Sequence, residues 1–327
     1  MTSTLTARSP EDLLAVVPVV LGFVPTDSVV MLTFGAERTF HARVGLPAGP
    51  GEVDELVEAL LEPACRNGVR RVVFVVYGDD IALARRCGRA LERAFARERI
   101  QVLEMLRADG SRWFPLLGRR PGVPEWGVPY DVSAHPFAAE AVVDGKVTHP
   151  SREALAASLD REPGAVDTTA GLVAELTPWS QKALPTTGEI LAEGTWVREL
   201  VARHAAAGSL PTDGDVARLL RSIQVKRIRD AAWALLDREV APAHAAFWTG
   251  IVRRTPDRLL APAAALLGWA AWQAGHGALA WCAVDLCAGV DTDYTLMIYL
   301  ADLLEHAVPP MEWMSDFDWS VGLGPAG

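Results

Sequence analysis

Strand-like runs dense in valine and other β-branched residues occur only in the first half of the chain, at 28–34 (SVVMLTF), 39–46 (TFHARVGL) and 72–77 (VVFVVY). From about Thr187 onward such runs vanish, and Ala, Leu, Arg and Trp dominate in segments of helical period separated by Gly or Pro. A chain patterned in this way cannot close one continuous sheet. The expectation is an α/β N-terminal half, a mixed sheet with flanking helices, followed by an all-α C-terminal half. At 327 residues the chain exceeds the usual span of one hydrophobic core, so two folding units are expected on size as well.

The first half reads in order. Ser9-Pro10-Glu11-Asp12 starts a helix with Ser9 as N-cap, and Pro18 is expected to limit it. A turn at 22–27 leads to the runs 28–34 and 39–46, whose spacing predicts a hairpin. Apolar residues at Val53, Leu56, Val57, Leu60 and Leu61 mark one face of a helix over 52–67. The run 72–77 has no polar alternation, as expected where both sheet faces are covered, and an amphipathic helix over 81–97 follows it as in a β-α-β unit. Strands at 100–107 and 112–117 flank Asp109-Gly110, a hairpin signal; the Pro/Gly-rich 119–131 reads as a loop, and 134–143 and 152–159 as helices. The boundaries drawn from this pattern are an α/β domain over 1–160, a connecting segment over 161–187 containing Pro163, Pro178 and Pro185, a helical domain over 188–308 and an acidic-aromatic tail over 309–327.

Charge and composition exclude several classes. A formal net charge of −10 sets the whole chain against nucleic acid and anionic lipid, leaving only local basic clusters for such contacts. The stretch 259–290 is long enough to cross a bilayer, yet Pro262, Gln273, His276 and Asp285 interrupt it, and two buried helices joined at Gly275-His276-Gly277 explain it better. Glu11 and Asp12 stand where a secretory signal carries positive charge. Cys65, Cys87, Cys282 and Cys287 fall in helical segments with no C-x-x-C pair, and read as small buried hydrophobes of a reducing compartment. A cytoplasmic protein with no cofactor and no metal is expected.

Candidate chemistry is sparse. Ligands of open α/β sheets sit beyond the carboxyl ends of parallel strands, where Gly78-Asp79-Asp80 follows the 72–77 run; Asp79 or Asp80 either binds there or caps the next helix. Asp27 and Ser28 at a strand start and Trp126 in the Pro/Gly loop complete the candidate ligand site. No phosphate-binding glycine motif, H-E-x-x-H pattern or G-x-S-x-G elbow occurs. Arg85, Arg89, Arg93 and Arg97 recur every four residues along one helix face, a positive stripe suited to an acidic partner or simply to water. A second basic cluster, Arg218, Arg221, Lys226, Arg227 and Arg229, lacks the interleaved aromatics of a nucleic-acid platform.

The helical half carries Leu267-Gly268, Gly275, Ala280 and Cys287 at spacings that let two antiparallel helices pack closely, as in a tetratricopeptide-like repeat. The tail residues Trp313, Phe317 and Trp319, interspersed with Glu312, Asp316 and Asp318, are expected to dock, either in a groove of this molecule or in that of a partner.

Several segments together resemble a family: 10–30 (PEDLLAVVPVVLGFVPTDSVV), 71–80 (RVVFVVYGDD), 229–233 (RDAAW), 266–285 (LLGWAAWQAGHGALAWCAVD) and 293–304 (DYTLMIYLADLL). The Gly-Phe-x-Pro-x-x-Ser run from Gly22 to Ser28 and the Trp-x-x-Gly-x-Gly-x-x-Ala run from Trp272 to Ala280 are its most specific parts. The chain resembles the actinobacterial family described as domain of unknown function 4192. That resemblance implies an actinobacterial, cytoplasmic protein in two parts and brings no catalytic residue, cofactor or substrate. The leading expectation is a non-enzymatic protein-binding or adaptor module using the helical half. The alternative is an enzyme or small-ligand sensor at the sheet edge, and the weaker one is nucleic-acid binding through the basic clusters.

Overall fold

The computed structural model describes residues 7–35, 40–143, 147–177, 185–312 and 317–323. The chain divides into two compact units between Ala154 and Leu155. The first is built on a six-stranded sheet of order β2-β1-β3-β4-β5-β6, with β1 (Ser28–Phe34), β2 (His41–Gly45), β3 (Arg71–Tyr77), β4 (Gln101–Ala108), β5 (Arg112–Pro115) and β6 (Val128–Pro129). Among the described strands of this sheet only β3 and β4 run parallel, joined through a crossover helix; the other neighbouring pairs are antiparallel.

Residue parity explains why the middles of the central strands are apolar. Val29 and Met31 of β1 and Val72, Phe74 and Val76 of β3 face one core with α2 (Val53–Arg66) and α3 (Ile81–Arg97). Val30, Leu32, Val73, Val75 and Tyr77 face the other, under Leu14 and Val17 of α1 (Pro10–Leu21). With period-two alternation delivering side chains to two dry layers, the strands are apolar from Val29 to Leu32 and from Val72 to Val76, and the polar Ser28, Thr33 and Arg71 fall toward the strand ends. Gly88 lets α3 lie close on the sheet: a Cβ there would come within 2.7 Å of Leu116 and 2.8 Å of the Met105 sulfur.

Several expectations need correction. The first helix continues through Pro18 and ends instead at Gly22, whose φ of 79° and N–H bond to the Pro18 carbonyl at 2.8 Å form the cap. The 119–131 loop contributes β6 as a sheet edge, where Pro129 costs no ladder donor. Two further helices, α4 (Pro136–Val143) and α5 (Arg152–Ala157), follow. The expected connecting segment holds α6 (Pro163–Glu175), which belongs to the second unit; Pro163 starts this helix rather than breaking one. Of the cysteines, Cys87, Cys282 and Cys287 are buried as expected, but Cys65 is exposed because it lies off the Leu60–Ala64 core stripe of α2. No disulfide joins them.

The second unit is helical: α6, α7 (Thr187–Ala207), α8 (Asp213–Ser222), α9 (Lys226–Trp233), α10 (Ala241–Val252), α11 (Leu260–Gln273), α12 (Gly277–Ala288) and α13 (Thr295–Glu305). Every residue of α11 is buried, so the membrane-like composition belongs to a core helix enclosed by α9, α10, α12 and α13. Among the described residues no helix is long and apolar enough to cross a membrane. The indoles of α11 are satisfied by carbonyls, Trp269 donating to Leu296 at 3.0 Å and Trp272 to Val308 at 3.1 Å. Gly268 is the close-approach point, where a Cβ would meet Leu300 at 2.6 Å and Ala283 of α12 at 3.5 Å.

His244 of α10 is 3% exposed, and its Nδ1 has no hydrogen-bond partner among the described residues. Burial pushes its pKa down from 6.5 to about 4, against the attraction of Asp237. Because the unfolded chain then binds the proton first, stability is full above the ordinary histidine pKa and falls as pH drops from there toward 4, by about 3 kcal/mol. Urea unfolding followed by tryptophan fluorescence is expected to show that extra loss between pH 7 and pH 4 in the wild type and not in a His244→Leu variant; equal losses in both would refute the assignment.

Candidate functional site

At the carboxyl end of β3, Ser28 pairs in register with Tyr77, and a Cβ on Gly78 would lie 4.0 Å from an Asp27 carboxylate oxygen. Asp27, Ser28, Asp79 and Asp80 therefore gather at one sheet edge. Their environments differ. Asp27 holds a left-handed φ of 40°, and its carbonyl accepts from Leu46 N–H at 2.8 Å. Ser28 is fully enclosed, with no partner for its hydroxyl among the described residues. Asp80 is the N-cap of α3, accepting from the N–H groups of Ala82 at 2.8 Å and Leu83 at 2.9 Å, while Asp79 is exposed. Trp126 is not brought to this edge. It precedes β6, four strand positions from β1 or roughly 19 Å in the sheet, and its side chain is 73% exposed.

The group that organises this end of the sheet is one that sequence reasoning missed. Arg107 of β4, 5% exposed, donates to the Gly78 carbonyl at 2.9 Å and stacks over Phe114 at 4.1 Å, with the Asp109 carboxylate 3.8 Å away. An arginine inside a strand-like run was the available signal. Its donors face main chain and a neighbouring carboxylate, so it braces β3 against β4 and β5. Among the described residues, no three His, Cys, Asp or Glu side chains cluster to hold a metal.

The second candidate lies in the helical unit and is built from α7 upward. Thr186 and Glu189 form a capping box that starts the helix. One turn on, Glu193 is buried and accepts from Arg218 Nε at 3.0 Å and Nη2 at 2.7 Å, from Arg221 at 3.4 Å and from the Ser222 hydroxyl at 2.6 Å. Burial pushes this carboxyl up, but the hydrogen bonds from Arg218 and Ser222 and both guanidinium charges outweigh it and hold the pKa below its ordinary value. Arg218 also stacks on Trp196 at 3.8 Å. The network locks α8 against α7.

Gly194, the next residue, leaves a notch on the same helix. A Cβ there would fall 2.3 Å from the indole of Trp319, which is 7% exposed and packs with Leu323 against Ala231, Ile190, Leu191 and Ala234. Phe317 remains 37% exposed, its ring 5.6 Å from that of Trp233. Arg227 donates to the Val321 carbonyl. The Asp318 carboxylate accepts from Ser320 N–H at 2.8 Å and Oγ at 2.7 Å; these bonds, assisted by the charges of Arg227 and Arg198, hold its pKa low. Residues 317–323 thus pack on their own unit. Trp313 lies outside the described residues.

The remaining candidates separate cleanly. Arg85, Arg89, Arg93 and Arg97 are all exposed on α3, opposite Ala84, Cys87, Leu91 and Phe95. The supposed second basic cluster is largely consumed in pairs, Arg218 and Arg221 on Glu193, and Arg229 on Asp230 and the Tyr294 hydroxyl at 2.9 Å. For the sheet edge, Asp80→Ala is expected to cost the first unit about 1 kcal/mol as a lost cap and Asp79→Ala less than about 0.5 kcal/mol in thermal unfolding. The reverse order would show that Asp79 carries an interaction beyond the cap.

No curated protein and no solved structure matches the chain. A family profile does, over residues 10–311, which takes in the sheet, the helical stack and the walls of the tail groove. The chain belongs to the family described as Domain of unknown function (DUF4192).

Proposed function

We propose that the helical unit is a protein-binding adaptor module of the cytoplasm whose groove between α7 and α9 takes an acidic segment carrying a tryptophan. The observation that carries this reading is the seating of Trp319 in the Gly194 notch, with Leu323 beside it on Ala231. The tail is a peptide of the stated chemistry, held by an aromatic anchor in a pocket and by a hydrogen bond from Arg227 at the rim, with the charge of Arg198 acting on Asp318. A tethered occupant competes at high effective concentration, so a partner would gain access when the tail leaves. The close helix hairpin at Gly268 and Gly275 fits a tetratricopeptide-like stack in which small residues set the groove walls.

The sheet-edge alternative gains less, since Asp80 is spent on a cap, Ser28 is enclosed and Trp126 lies at the far edge. Nucleic-acid binding gains less again, because Arg218, Arg221 and Arg229 are already paired with carboxylates.

The test uses the full-length chain with Trp319→Ala and a fluorescent peptide of residues 309–327. The variant is expected to bind the peptide at least about tenfold more tightly than the wild type, equal to about 1.4 kcal/mol, and not to bind the peptide in which tryptophan 319 is also alanine. A folded Trp319→Ala chain that ignores the native peptide would end the proposal.

A further inference from the structure

The first unit has a cleft of about 520 Å³ beside the start of α1, at the opposite end of β3 from the acidic sheet edge. Its floor is apolar, from Pro10 and Leu13 of α1, Phe34 of β1, Val73 of β3 and Leu103 of β4. Leu103 is 46% exposed. Three guanidiniums line the walls, Arg8, Arg71 and Arg120, against one carboxylate, Glu104.

The three arginines are not equivalent. Arg120 is paired with Glu104 at 2.6 Å, which cancels the single negative group of the lining. Arg71 rests against the backbone of Gly35, where a Cβ would meet its Nε and Nη2 at 3.4 Å, and its guanidinium makes no ion pair or hydrogen bond among the described residues. The Arg8 side chain likewise makes none; only its main-chain N–H is engaged, by Asp12 at 2.7 Å. Two guanidiniums without a carboxylate partner thus line the cleft over an apolar floor, while the N–H groups at the start of α1 are already taken by the Ser9–Asp12 capping box. The volume lies within the usual range for small-molecule sites.

We infer that this cleft binds a small amphipathic oxyanion, its head between Arg71 and Arg8 and its apolar body on Leu13, Val73 and Leu103. The head is a carboxylate or a phosphate monoester, both of which match the planar donor fork of arginine. The site is independent of the tail groove and of the Asp79–Asp80 edge.

Calorimetry on the full-length chain with hexyl phosphate and with hexanoate tests the inference and ranks the two heads, with inorganic phosphate as the head alone and 1-hexanol as the body alone. At least one amphipathic probe is expected to bind saturably and more tightly than either half. Arg71→Gln and Arg8→Gln, both at exposed positions, are each expected to weaken it about tenfold, as for a lost charged hydrogen bond, with thermal unfolding unchanged. Glu104→Gln is expected to tighten it by removing the competing carboxylate. No saturable binding of either probe, or wild-type affinity in Arg71→Gln and Arg8→Gln alike, would overturn the assignment.

Discussion

An element without a polar face must be enclosed, and each half of this protein is organised around one such element. In the first unit it is β3, buried from Val72 to Tyr77 and sheathed by helices on both sides of the sheet. In the second it is α11, buried along its whole length. Leaving either exposed would cost on the order of 25 cal/mol for each Å² of apolar surface, so the surrounding elements are constrained before their own sequences are considered. The glycines at 88 and 268 sit where a neighbour must come closest, and both would clash with a side chain if they carried a Cβ.

Burial of the apolar elements leaves the polar groups at their ends to be settled individually. Arg107 ties the ends of β3 and β4 through a carbonyl and an aromatic face, and Glu193 draws Arg218, Arg221 and Ser222 together between helices. Such pairs add little net stability over an apolar packing of the same shape, since the desolvation they demand offsets most of the attraction. They do impose geometry. Glu193 holds four donor groups from Arg218, Arg221 and Ser222, which fixes α8 against α7, while the wall around Trp319 is made by Gly194, Ile190 and Leu191 of α7 and Ala231 of α9.

Local signals were the ones a reader of the sequence could use. The bounds of α3 follow from Asp80 as cap and the apolar spacing behind it, and the two-sided burial of β3 follows from its lack of alternation. What escaped depended on distant partners. Pro18 reads as a stop, yet α1 tolerates it and ends at Gly22. Pro163 reads as linker composition and serves as a first helical residue. The tail was legible as a docking segment from its aromatics, but its receiving notch was not, because a single glycine inside α7 carries no mark of what fills it. The arginines of the α1 cleft come from α1's approach, β3 and the 119–131 segment, so no window of sequence contains them together.

A chain of net charge −10 is an unpromising receptor for acidic ligands until distance is considered. At physiological ionic strength a charge is screened beyond about 8 Å, so the bulk of the carboxylates is felt weakly at any one site. What a ligand meets is the nearest few groups. In the tail groove these are Arg198 and Arg227 beside an apolar notch, and in the α1 cleft Arg8, Arg71 and the Arg120–Glu104 pair beside an apolar floor. Both sites pair an apolar surface with guanidinium, a weakly hydrated cation that gives up water at less cost than an ammonium. Under the two proposals electrostatic selection would act over a few angstroms, and the global charge would mainly slow the approach of acidic ligands, an effect that salt removes.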